Sequence, residues 1–491
     1  MWCDRKILSV SLQGGLSRVG SYPGSTMRLL ARAAATLLAT TAKSRAGPSP
    51  RSVVSISSAF DGGNIEPVSV ESGLVRLKIK PDPYTELEEK THMQWFAFRA
   101  THDEQTEAVV TYEIENAGDC SFAVAWKGAE VVASFDKETW QRVPSTRYDE
   151  ERGVLSWQWS RTRPLVDPPS VYFAYFDLYS YERHLALVAK CAAAATSGSS
   201  LAHVHSLGQT LDGREIDCVV VGTGKLQAWV IHRQHPGESM AEFYAEGLLT
   251  RLLGLDSGGQ VDALTATLLS QFTFHIVPSM NPDGALRGHL RVNAGGANLN
   301  REWASTGDYE APSLERSPEV FHVLGAMDRT GVDAFVDVHG DEALPFAFCA
   351  GAEGCAVWGA RIRALQGAFV GAYSRANPDM QSQFGYTPDA PLEANLAICS
   401  NQVAQRFDCL GVTLEMPFKD CAAVPRADPD GAGFDGRRAS MLGRSLLDAM
   451  AHVASQLRGV EEPSFPLEGD QYVAAVEDEG AIAAWIKERR G

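Results

Sequence analysis

QAWVIHRQHPGESMAEFYAEGLLTRLLG, residues 227–254, joins a strand to a helix across one short turn. QAWVIHR (227–233) is an apolar run of strand length, and SMAEFYAEGLLTRLLG (239–254) is rich in helix formers. The same rhythm recurs downstream. CVVVG (218–222), FTFHIVP (272–278), AFVDVHG (334–340) and LGVTLEM (410–416) read as buried strands. Helical stretches such as SPEVFHVLGAMDRT (317–330) and RRASMLGRSLLDAMAHVASQL (437–457) lie between and after them. Strands alternating with helices predict an α/β domain over 177–460, built on a mostly parallel mixed sheet covered on both faces.

Upstream, residues 54–176 change period. LVRLKIK (74–80), MQWFAFRAT (93–101), EAVVTYEIENA (107–117), AEVVASFD (129–136), GVLSWQWS (153–160) and SVYFAYFD (170–177) are short and separated by Gly, Pro, Asp and Asn. Such strands need two facing sheets, so an antiparallel β-sandwich is expected. Residues 461–491 read as an acidic, peripheral tail.

The chain has 491 residues, 45% of them apolar, enough for more than one core. No stretch approaches the roughly 18 to 20 uncharged apolar residues of a membrane span. Nine cysteines are scattered and never spaced CxxC, which favours structural thiols in a reducing compartment. Residues 1–53 form a basic arm, with eight Lys/Arg and one acid, Asp4, within the first 51 positions. It reads as a disordered extension, a start set too early, or an organelle transit peptide, so the location is cytoplasmic or organellar (mitochondrion or plastid). Removing the eight and the one from totals of 44 basic and 61 acidic residues leaves 36 and 60. That acidic body argues against nucleic acid as a partner, and an acidic ligand needs a local basic pocket.

Functional crevices of open α/β sheets lie at the carboxyl ends of strands. Here each strand ends in reactive residues. His235 and Glu238 occupy one turn, and an imidazole with a carboxylate suits Zn²⁺; alternatively Glu238 only complements the positive end of the next helix. His339 follows AFVDV, as a third ligand or as a satisfied core-edge histidine, with Asp337 or Asp341 able to orient an imidazole. Glu415 interrupts the apolar LGVTLEMPF, as a general base or as half of a buried ion pair. Between them, SMNPDGALRGHLRVNAGGANLNREW (279–303) is a turn-rich loop bearing Arg287, Arg291 and Arg301, guanidinium groups suited to carboxylate and oxyanion recognition.

Taken in order, HPGE, NPDG, RxNxxGxNLNRxW, DVHGD and TLEMPF resemble the zinc metallocarboxypeptidases, specifically the cytosolic carboxypeptidase branch, across most of 54–450. SLGQTLDGREI (206–216) resembles that family's lead-in to its first central strand. The resemblance implies one Zn²⁺ on His235, Glu238 and His339, with Glu415 as the catalytic glutamate. It places the substrate's terminal carboxylate on Asn300 and Arg301, and the scissile carbonyl near Arg291. It implies a peptide or protein C-terminal tail as substrate, with acidic, glutamate-type ends favoured because relatives of this branch trim glutamates from tails including tubulin. Arg406 and Lys419 are candidates for a basic pocket, and Tyr386 for the family's tyrosine near the scissile bond. Two positions depart from the pattern: Asn298 stands where many relatives carry aspartate, and HGD replaces HGH. An amidase or deacylase of small N-acyl amino acids is the alternative within the same architecture, and a silent binding scaffold the alternative outside it. GESMA (237–241) lacks the last glycine of a serine-nucleophile elbow, and GTG (222–224) is an incomplete nucleotide fingerprint.

Overall fold

A computed structural model describes residues 54–103, 109–160, 168–196, 201–304, 311–424, 426 and 433–490. The basic arm lies outside these residues. The first ten strands are β1 (Val54–Ser57), β2 (Glu66–Glu71), β3 (Leu74–Lys78), β4 (Ala97–His102), β5 (Val109–Ile114), β6 (Val132–Ser134), β7 (Gln141–Arg142), β8 (Arg147–Asp149), β9 (Val154–Ser160) and β10 (Ser170–Ala174). They form two five-stranded sheets, ordered β1-β4-β10-β6-β7 and β2-β3-β5-β9-β8. The expected sandwich is therefore present. Pairing is antiparallel except between β3 and β5, which run parallel because the chain visits the other sheet as β4 between them. Inward-facing aromatics fill the space between the sheets: Trp157 stacks on Tyr112 at 5.5 Å between ring centres, and Phe96, Phe98 and Phe173 pack around them.

Helix α1 (Tyr181–Thr196) leads into the second region. Its sheet comprises β11 (Ala202–Gln209), β12 (Glu215–Gly222), β13 (Leu226–His232), β14 (Phe272–Val277), β15 (Ala334–Val338), β16 (Phe348–Ala350) and β17 (Leu410–Glu415). The order is β11-β12-β14-β13-β15-β17-β16, with β14, β13, β15 and β17 parallel and the remaining strands antiparallel.

The period of two along β13 builds both cores. Ala228 and Val230 join one apolar cluster while Trp229 and Ile231 join the other, on the opposite face. Helices α2 (Met240–Leu253) and α5 (Gly436–Val453) cover the first face; α3 (Pro318–Thr330) and α4 (Cys399–Phe407) cover the second. Gly254, at φ +62°, ends α2 in the left-handed conformation that glycine adopts without a Cβ penalty.

The sandwich and the α/β region share one continuous core. Tyr175 stacks on Phe418 at 4.6 Å, and the Arg142 guanidinium donates to the carbonyls of Phe418 and Phe434 at 3.1 and 2.8 Å. The tail is not peripheral. Val476 pairs with Gln383 and Gly385, and Trp485 of the helix Glu479–Arg490 packs edge-on against Phe346 and Phe384. No helix among the described residues is long and apolar enough to cross a membrane.

Candidate metal centre and substrate cleft

The parallel strands β13, β15 and β17 end side by side, with His232 opposite Val338 and Val338 opposite Leu414. Residues just past those ends are thereby gathered at one place. His339 directly follows β15, its N–H donating to the Leu414 carbonyl at 2.8 Å, and Glu415 is the last residue of β17.

The HPGE turn is held from below by Arg233. That side chain is 1% exposed and sits at φ +57°, donating to the carbonyls of Pro236 and Tyr179 at 2.8 and 3.0 Å and to Glu242 at 2.8 Å. Gly237 has no room for a side chain, since a Cβ would lie 2.9 Å from the Leu290 carbonyl oxygen. Together these constraints bring His235 and Glu238 to the same side.

His235, Glu238 and His339 are all buried, and their ligand atoms lie within 4.8 Å of one another. Nδ1 of His235 is 2.7 Å from Glu238 Oε1, Nδ1 of His339 is 2.8 Å from Oε2, and the two Nδ1 atoms are 3.2 Å apart. The outer nitrogens are occupied. His235 Nε2 faces the Asn298 carbonyl oxygen at 3.1 Å, and His339 Nε2 faces Asp337 Oδ2 at 2.9 Å. Both outer partners accept, which places a proton on each Nε2 and turns each Nδ1 lone pair inward.

Two imidazole lone pairs and a carboxylate thus converge with little positive charge to hold them together. The electrostatics show the same demand. Burial and Arg291 push the His235 imidazolium down to about 3, so that ring is neutral. Burial also disfavours charge on His339, but Asp337 and Glu238 outweigh it and hold that ring well above its usual value. Burial would raise the Glu238 carboxyl, and the two imidazoles outweigh it. A proton on His339 is the least that the cluster requires, while a divalent cation satisfies all three inward atoms at once. The donor set, two imidazole nitrogens and one carboxylate, therefore fits a divalent metal such as zinc.

Glu415 is 6% exposed, and its Oε2 has no hydrogen-bond partner. Burial, with Glu238, Asp341 and Glu342 nearby, holds its carboxyl well above the usual range. Tyr386, 36% exposed overall, turns its hydroxyl inward, 2.7 Å from Asp341 Oδ2 and 3.2 Å from Glu415 Oε1. Asp341 therefore serves Tyr386, and Asp337 is the carboxylate that orients His339.

A cavity of about 500 Å³ opens here, lined by His235, Glu238, Arg291, Asn300, Arg301, Tyr386 and Glu415. The Asn300 side chain is fixed by the Cys399 N–H, which donates to its Oδ1 at 2.8 Å, and Arg301 donates to the Asn300 backbone carbonyl at 2.7 Å. Not every expected residue is present. Arg287 is paired with Asp212, Arg406 with Asp328, and Lys419 donates to the Lys127 carbonyl, so none of the three lines this cavity. Burial lowers Lys419 to about 8. The tail supplies one wall through Gln471, Tyr472, Val473 and Glu477. Sequence reading also passed over Gln234, which donates to Asp337 at 2.6 Å and accepts from the Trp303 indole at 2.8 Å.

Comparison with known proteins agrees with this architecture. Residues 56–176 match the family model of the cytosolic carboxypeptidase N-terminal domain, and residues 187–350 match that of zinc carboxypeptidase. A crystal structure of a putative carboxypeptidase A from Shewanella denitrificans is 44% identical, covering 82% of this chain and 99% of that one, with a TM-score of 0.72. A metallo-carboxypeptidase from Pseudomonas aeruginosa, solved in complex with (2-guanidinoethylmercapto)succinic acid, is 38% identical over 82% of this chain and all of that one, with a TM-score of 0.73. An uncharacterized protein of Zymomonas mobilis is 40% identical over 404 residues, 82% of this chain and 97% of its own.

Proposed function

The chain belongs to the zinc metallocarboxypeptidases, in the cytosolic carboxypeptidase branch, and from that premise we propose how its residues cleave the last peptide bond of a peptide or protein tail. One zinc ion would be held by Nδ1 of His235, the Glu238 carboxylate and Nδ1 of His339. When bound it supplies Lewis acidity to the attacking water and to the scissile carbonyl.

The remaining steps fall to side chains. Glu415 takes a proton from the attacking water through its unpaired Oε2 and then delivers it to the leaving amine. Arg291 stabilises the developing oxyanion. Asn300 and Arg301 hold the terminal carboxylate, which only a chain end offers, and this makes the enzyme an exopeptidase. The side-chain Oδ1 of Asn298 orients His235 without adding charge.

The observation that carries this reading is the convergence of two inward Nδ1 atoms and one carboxylate beside the unpaired Glu415 oxygen. Hydrolysis of free-ended peptides by the wild type, lost in Glu415→Gln, is the expected result; full activity in the variant contradicts it.

Preference for acidic ends is the finer part of the proposal and rests on the branch resemblance. Among the described lining residues, the cavity's Arg/Lys cations are Arg291 and Arg301, beside Glu353, Asp389 and Glu477. A peptide panel differing only in the last residue decides the matter. Faster release of Glu or Asp supports the preference, and equal turnover of basic or aliphatic ends removes it.

A further inference from the structure

The loop that carries Arg291, Asn300 and Arg301, expected to be turns throughout 279–303, opens with a short helix at Pro282–Arg287 capped by Asn281, and beyond it has little regular structure, one 3-10 turn at Leu299–Arg301. Its backbone is gripped from the N-terminal sandwich. Asp82, in the strap that follows β3, accepts the Leu290 N–H on Oδ1 at 2.7 Å, and on Oδ2 the N–H groups of Arg291 and Val292 at 2.7 and 3.1 Å. Six residues on, Glu88 Oε1 accepts the Asn298 N–H at 3.1 Å. Between these two anchors, Gly296 (φ +83°) lies so close to the strap that a Cβ would fall 1.8 Å from the Tyr84 carbonyl oxygen. Asp82 is 4% exposed, and the Glu88 side chain 3%.

Three backbone donors on one buried carboxylate make a rigid, charge-assisted junction. It spans more than 200 residues of sequence and contacts the loop at Arg291 itself.

We propose that Asp82 is a positioning residue for the reaction, fixing the backbone from which Arg291 reaches the cleft, while Glu88 fixes the far end of the loop at Asn298. The inference rests on the oxyanion role given to Arg291 above. On this account the sandwich takes part in the chemistry by holding a group that acts mainly in the transition state. Asn in place of Asp82 keeps the shape but turns an amide toward a backbone N–H, whichever way it is placed.

The test is a double-mutant cycle on the full-length, zinc-loaded chain with Asp82→Asn, Arg291→Ala and the pair, following kcat, KM, zinc content and thermal midpoint. Misplacement of a catalytic group by about 1 Å can cost on the order of a hundredfold in rate. Asp82→Asn is expected to lose at least about tenfold in kcat, with KM within about threefold and zinc retained. The pair is expected to be no slower than Arg291→Ala alone, because the two act through one group. Should Asp82→Asn fail to accumulate folded, Asp82→Glu, which keeps the charge but is longer by a methylene, carries the same cycle.

An unchanged kcat, a loss shared equally with KM, or losses that multiply in the pair overturn the proposal for Asp82. Wild-type activity in Arg291→Ala overturns it as well, and in that case removes the role of Arg291 itself.

Discussion

Asp337 Oδ2 lies 2.9 Å from His339 Nε2, two residues further along the same strand end, and the Gln234 amide donates to the same oxygen at 2.6 Å. Asp337 is 0% exposed, and its Oδ2 is shared by these two neighbours. Its pairing decides which nitrogen of His339 faces inward. Replacing it with Asn keeps the shape but loses the charge that fixes the ring. Asp337→Asn is expected to weaken zinc binding about 10- to 100-fold, the usual cost of removing such an orienting partner. Competition with a chelator of known affinity measures it, and an unchanged affinity counts against the geometry described here.

Tyr386 sits where two carboxylates meet. Its hydroxyl donates toward Asp341 and Glu415, and hydrogen bonds to charged groups contribute about 1.5–3 kcal/mol. Tyr386→Phe is expected to lower kcat/KM by about tenfold or more, with zinc content unchanged and the unfolding midpoint lowered by the lost hydrogen bond. Full activity in this variant would show that the hydroxyl does not act in the reaction.

Arg233 tests how the HPGE turn is held. Its removal leaves Glu242 buried, 2% exposed, with only part of its positive surroundings, and breaking a buried pair from one side costs about 3–5 kcal/mol. Arg233→Met is expected to lose that order of stability in denaturant unfolding and to bind zinc less tightly. A variant as stable as the wild type would mean that the turn is held by other contacts.

His184 gives the fold a pH dependence away from the cleft. Burial disfavours its charge, but Asp217 at 3.2 Å and Glu242 at 3.5 Å outweigh burial and raise it to about 9. An unfolded histidine titrates near 6.5. The stabilisation is therefore fully present below about pH 6.5 and is lost as pH rises through 9. The stability gap between wild type and His184→Gln is expected to narrow by on the order of 3 kcal/mol across that window. A gap that does not change with pH contradicts the pairing.

The parts legible in the sequence are those with a local signature. An apolar strand that ends in a reactive residue can be read from a few positions, and the β13, β15 and β17 endings duly meet because adjacent parallel strands end together. Asn298 stood out only as a departure, and the structure explains it as a neutral acceptor for His235. What the sequence hid has partners that leave no pattern. Asp82 and Glu88 bind backbone N–H groups about 210 residues away, which any residue type provides. The tail looked peripheral because its acidic surface dominates its composition, whereas Ile482 and Trp485 dock it beside Phe346 and Phe384. Arg406 and Lys419 were close in sequence to Glu415 but are turned to other partners.

His235, Glu238 and His339 would hold the metal, with Glu415 acting beside it but outside the ligand set. Metal analysis of the purified wild type, Glu415→Gln and His339→Ala tests it most directly. One zinc per chain is expected in the wild type and in the inactive Glu415→Gln, and little or none in His339→Ala. Zinc retained at full stoichiometry in His339→Ala would contradict it.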